Sequence, residues 1–132
     1  MGAVKVDTQK QARAYEVKYC LNDSAGVKAL LRDRHRIAER RYSGDTAACD
    51  IIIDLHSAIE SAGLTERQAE AIAWVYGRDL TQKVAAGIMG VAQQNVAAAI
   101  DRAAEAIASV YARWEYGEIT VEYTEDNEME AA

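Results

Sequence analysis

Three amide side chains stand in a row at Gln93, Gln94 and Asn95, followed by Ala97-Ala98-Ala99 and then Arg102. Each amide holds a donor beside an acceptor, the pair that matches the edge of an adenine in the major groove. Alanine is small enough to let a helix sit deep in that groove, and its methyl can meet a thymine methyl. Arg102 and, upstream, Lys83 supply cations for phosphate oxygens. Lys83, Gln93, Gln94, Asn95, Ala98 and Arg102 therefore form a candidate surface for double-stranded DNA. The competing reading of the amide triplet is a polar first helical turn in a fold that binds protein.

Other chemistry is not signalled. The chain has no phosphate-binding glycine loop, no G-x-S-x-G and no paired carboxylates with a plausible cleft. We expect a non-enzyme that needs no cofactor. His35 and His56 have no partners at metal-ligand spacing, so no metal is expected. Cys20 and Cys49 form no C-x-x-C pair and read as reduced thiols partly buried in helices, in a cytoplasmic protein.

The elements that position the amides lie between Leu64 and Trp114, which read as three helices with two breaks. Thr65 and Gln68 have the spacing of a capping box. Ala69, Ile72, Ala73 and Tyr76 then recur on one helical face, and Gly77 is suited to end it in a left-handed conformation. Thr81 caps a helix of about two turns, with Ala85, Ala86 and Met89 inward, closed by Gly90. The third helix starts near Gln93 and carries Val96, Ile100, Ala103, Ile107, Val110 and Trp114 in one stripe. A short helix, a glycine turn and a second helix make the helix-turn-helix pattern, in which Ala86 permits a close crossing and Gly90 the positive φ.

These residues carry a family resemblance. LTERQ at 64–68, Tyr76-Gly77, DLTQKVA at 79–85 and MGVAQQNV at 89–96 resemble region four of bacterial sigma factors, over about fifty residues. Small phage and prophage regulators are built in a similar way. The resemblance implies a sequence-specific transcription regulator acting with bacterial RNA polymerase, with the head of the third helix reading bases. The sequence departs from the family in two places. Ala92 stands where a Ser or Thr cap is usual, a change of about 1 kcal/mol. Ala97-Ala98-Ala99 stands where Lys or Arg is usual. Nothing resembles the aromatic-rich segment that melts promoter DNA, and too few residues precede Leu64 to house it, so a complete sigma factor is not expected.

The composition, with no Pro and no Phe and abundant Ala, predicts an all-α fold. No apolar run is long enough to span a membrane, and MGAVKVDTQKQ is too polar for a signal peptide. The net charge of −6 hides a segregation. Residues 1–42 hold ten Lys plus Arg against five acids, 43–63 hold four acids and no base, 64–114 balance, and 115–132 hold seven acids and no base. An acidic total does not exclude nucleic acid when the basic charge is gathered in one place.

Three regions follow: a helical 1–63, the helix-turn-helix 64–114, and an acidic tail 115–132. In the first, a helix capped by Asp7 or Thr8 is expected to run to Cys20. Asn22-Asp23-Ser24 then turns the chain into a helix from about Ala25 to Tyr42, with Val27, Leu30, Leu31 and Ile37 inward. Its arginines, Arg36 and Arg40 among them, read either as contacts to DNA phosphates or an acidic partner, or as a solvated face with Asp33 and Glu39 interleaved. Ser43 or Asp45 caps a helix from Thr46 to Ala62, on which Ala48, Ile51, Ile52, Leu55, Ile59 and Ala62 form a stripe. Ile119, Val121 and Tyr123 alternate with acids, yet a lone strand has no partner in an all-α fold, so a disordered tail is expected. It reads either as a solvated tail or as one that mimics nucleic-acid charge and masks the basic helix.

Two further functions fit the same features. One is a DNA-packaging recognition subunit resembling a phage small terminase, a homo-oligomer whose multivalency offsets weak single-copy binding. The other is a protein-interaction module that has lost DNA binding.

Overall fold

The computed structural model describes residues 14–40 and 46–124. The order is β1 (Ala14–Cys20), α1 (Ser24–Arg40), α2 (Thr46–Ser61), α3 (Glu66–Ile72) running into a π-helical turn (Ala73–Gly77), α4 (Gln82–Met89), α5 (Gln93–Arg113) and β2 (Glu118–Thr124). The fold is mainly helical, as the composition predicts. It is not all-α, because β1 and β2 pair in a two-stranded sheet. The expected caps at Asp7, Thr8, Ser43 and Asp45, and residues 125–132 of the tail, lie outside the described residues.

The chain divides into two compact units. The larger is Tyr19–Ile119; the smaller joins residues up to Lys18 with those from Thr120 on. In the larger unit α5 is the centre, packed by α1, α2, α3 and α4. Its inner face buries Val96, Ala99, Ile100, Ala103, Ala104, Ile107, Ala108, Val110 and Tyr111. The alanines let neighbouring helices approach closely, and the branched residues fill the spaces between. Val27, Leu30, Leu31 and Ile37 of α1 are buried, as are Ile52 and Leu55 of α2 and Ile72 of α3, all at expected core positions. Trp114 departs from the expected stripe: it follows the last turn of α5 and is 41% exposed. Ala69 and Ala73 are exposed too, because Ala71 and Ile72 take the inward face of α3.

Local chemistry sets most boundaries. Thr65 and Gln68 form a reciprocal capping box. Thr81 Oγ1 accepts from the Val84 amide. Gly90, at φ 71°, closes α4 in the left-handed region. Gly77 does not have the left-handed conformation expected of it. The helix widens instead, with the Arg78 amide bonded to the Ala73 carbonyl five residues back, and Asp79 takes the positive φ of 59°. Aspartate tolerates that region because its short polar side chain bonds locally. The widened register leaves late carbonyls without helical partners, and His35 Nε2 donates to the Tyr76 carbonyl at 3.1 Å.

Over its described residues, Ala14–Cys20, the first expected helix is a strand. Tyr15, Val17 and Tyr19 alternate with Glu16, Lys18 and Cys20, a period of two suited to a pleated surface. Its partner comes from the expected disordered tail. The Leu21 amide donates to the Gly117 carbonyl at 3.2 Å, and the Tyr15 and Tyr123 rings meet with centroids 5.6 Å apart. Both pairings fit one antiparallel register.

Two tyrosine–aspartate hydrogen bonds lie within the larger unit. Tyr19 donates to Asp33 Oδ2 at 2.6 Å, so Asp33 is buried in α1 rather than solvated. Tyr116 donates to Asp54 Oδ2 of α2 at 2.7 Å and stacks edgewise on Tyr111. Gly26 lets the first turn of α1 press on β1, since a Cβ there would lie 1.9 Å from the Cys20 carbonyl oxygen.

Ile100→Ala should cost roughly 2–4 kcal/mol and Val96→Ala less, read as a lowered midpoint in denaturant titration. The Tyr116 phenol is pushed above its ordinary pKa by burial, by its bond to Asp54 and by the charges of Asp54 and Asp50. That of Tyr111 is raised by burial, then by Tyr116 and Asp54. Raised pKa values of this kind give stability that is complete below the unfolded value of about 10 and lost as pH climbs above it. Tyrosinate absorbance should therefore show a late phase coincident with loss of helical circular dichroism, and Tyr116→Phe should shrink that phase.

Candidate nucleic-acid interface

The head of α5 stands clear of the core. Gln93, Gln94 and Asn95 are exposed, while Val96 is fully buried and anchors the first turn. Ala92 precedes them with extended backbone and no side-chain cap. The Asn95 and Val96 amides bond back to the Ala92 carbonyl. The amides of Gln93 and Gln94 receive no side-chain cap from Ala92, at the positive end of the helix dipole.

Along a helix of about 3.6 residues per turn, positions seven apart fall nearly in line. Asn95 and Arg102 share one flank of α5, Gln94 and Asp101 share the other, and Ala98 and Glu105 run between them. All six are exposed. The first flank borders an open groove of ≈ 420 Å³, lined by Thr65, Arg67, Gln68, Val91, Asn95, Ala98, Ala99 and Arg102. Arg67 and Arg102 give it two cations. Gln68 Oε1 is held by the capping box, which does not engage its amide nitrogen. A second groove lies across the helix head, lined by Gln82, Ala92, Gln93, Gln94 and Ala97.

The structure thus brings Asn95, Ala98 and Arg102 into one groove, and Gln93 and Gln94 into the other. Lys83 is exposed on α4 but lines neither. Arg36 and Arg40 are half-buried on α1 and line neither. A different cation of α1 approaches α5: Lys28 forms an ion pair with Asp101. Burial acts most strongly on the Tyr76 phenol, against the charges of Lys28 and Arg32, and its pKa is raised.

Arg67, Gln82 and the Lys28–Asp101 pair were not singled out from the sequence. The seven-residue interval from Gln94 to Asp101 was a usable signal for one partner. Nothing local placed Lys28 beside it, 73 residues away. Among the described residues no group of three His, Cys, Asp or Glu is placed to hold a metal ion. No helix among them is long and apolar enough to cross a membrane. Comparison of the chain with family models, curated proteins and solved structures finds no match.

Ala92→Ser supplies the missing cap and should stabilise the fold by about 1 kcal/mol, seen as a higher denaturation midpoint. An unchanged midpoint would mean that α5 does not begin at Gln93.

Proposed function

We propose that the protein is a sequence-specific DNA-binding regulator of transcription, resembling region four of sigma factors and acting beside a bacterial RNA polymerase. The observation that carries this reading is the head of α5. Three exposed amide side chains project from a helix anchored by Val96, next to a groove that holds Arg67 and Arg102. Helices that read DNA enter the major groove by their N-terminal residues, with amides paired to adenine and nearby cations on phosphate. Ala98 keeps the space between the two flanks shallow, so base edges can approach. The Gln93 and Gln94 amides could donate to a phosphate at the positive end of the helix, a role that a Ser or Thr cap would compete with.

A second reading, a protein-interaction module without DNA, has its own support. Val84 and Ile88 lie one turn apart on α4, 49% and 51% exposed, and form a short apolar ridge. In the DNA reading the same ridge is available to a protein partner such as polymerase.

Genome-wide recovery of bound DNA identifies the site, and duplex titrations then test the reader. Gln94→Ala and Asn95→Ala should each cost about 1–3 kcal/mol on the recovered site and little on scrambled DNA. Equal losses on both duplexes would show that α5 does not read bases. Recovery of no DNA would favour the protein-interaction module. A ring-sized mass in solution, with a single packaging site recovered, would favour the terminase-like alternative.

A further inference from the structure

A helix lying in the major groove has a phosphate backbone on each side, because the groove is about 12 Å wide and admits one helix. The two flanks of α5 are not equally prepared for this. On one, Arg67 and Arg102 line the open groove. On the other, Lys28 of α1 reaches α5, and its ammonium is bonded to the Asp101 carboxylate of α5 itself. Asp101 therefore puts a negative charge where a phosphate would approach and occupies the cation that would meet it. Both side chains remain open to solvent, at 37% and 57% exposure, so the pair can exchange partners.

Resting on the DNA reading above, we propose that Asp101 is a specificity-determining residue that restrains the second backbone contact. Lys28 is the phosphate ligand of that flank, and Asp101 competes with DNA for it. Non-specific binding is almost wholly electrostatic, so one restrained cation weakens it directly. On the cognate site, contacts from Gln94 and Asn95 hold the helix in register and compensate for the weaker electrostatics. The pair thus lowers affinity for random DNA relative to the correct site. Arg32 is 68% exposed and bonds through Nε to Asp33 at 3.3 Å. That bond stays within α1 and does not involve Asp101.

The test is a salt series with Asp101→Asn, Lys28→Gln and the double variant, on recovered and scrambled duplexes. Asp101→Asn should bind scrambled DNA several-fold more tightly and raise the slope of log affinity against log salt by about 0.9, the value of one added phosphate contact. The ratio of cognate to scrambled affinity should fall. Lys28→Gln alone should weaken binding, because Asp101 is then an uncompensated negative charge. In the double variant the gain should largely vanish and the slope return to the wild-type value. A gain that persists without Lys28 would overturn the proposal, since removal of a carboxylate alone would then account for it. So would an unchanged slope in Asp101→Asn. If wild type binds and Gln94→Ala still loses cognate affinity while Asp101→Asn behaves as wild type, only this inference fails. If no form binds DNA, the DNA reading fails with it.

Discussion

A helix of 21 residues in a chain of 132 must bury one side along its length, and this constraint governs the larger unit. The four alanines Ala99, Ala103, Ala104 and Ala108 make the inner face of α5 narrow enough for α1, α2, α3 and α4 to reach it. Ile100 and Ile107 then lock the neighbours in place, each contributing roughly 1.5–3 kcal/mol by burial. The candidate reading head is a by-product of this packing. Val96 is drawn inward with the stripe, so the residues just before it have to project. Their position depends on the rigidity of the whole core rather than on a flexible loop.

Polar bonds in the interior are few and matched. Asp33 is the one charged residue buried among the described residues, and the Tyr19 phenol meets it. Tyr116 meets Asp54 in the same way on another helix. No buried side-chain nitrogen or oxygen among the described residues lacks a hydrogen-bond partner. A carboxylate that accepts from a phenol keeps most of its hydration energy replaced, whereas an unpaired one would cost several kcal/mol. Each of these tyrosines stands at a strand end or just before one.

What was legible in the sequence was local or periodic. Thr65, Gln68, Thr81 and Gly90 marked their boundaries because a cap is chemistry between residues three or four apart. The stripe from Val96 to Val110 was legible because helical burial repeats with a short period. β1 was not, because Tyr15 and Tyr19 also fit helical spacing, and the strand that decides the matter lies about a hundred residues downstream. The π turn was hidden because Gly77 looked sufficient to end a helix, while the actual end depends on Asp79 and on a bond from His35. Asp33 looked solvated beside its arginines, and only Tyr19, on another element, shows otherwise. In the candidate site the amides were legible as a run of one chemistry. Arg67 and the Lys28–Asp101 pair were not, since each depends on which helix lies alongside α5.

The antiparallel ribbon bears on how the chain is made. β1 leaves the ribosome about a hundred residues before β2, so it must wait for the intervening helices to emerge. The helices, whose bonds are local, can form and collapse in that interval. Closing so long a loop is cheap once they have, because the core already holds Tyr19 and Tyr116 near one another and little entropy remains to be lost. During the wait β1 is an unpaired strand with aromatic residues on alternate positions, the kind of segment that joins to its copies on neighbouring nascent chains. Glu16 and Lys18 interrupt it with charge at every second residue, a pattern that disfavours such joining.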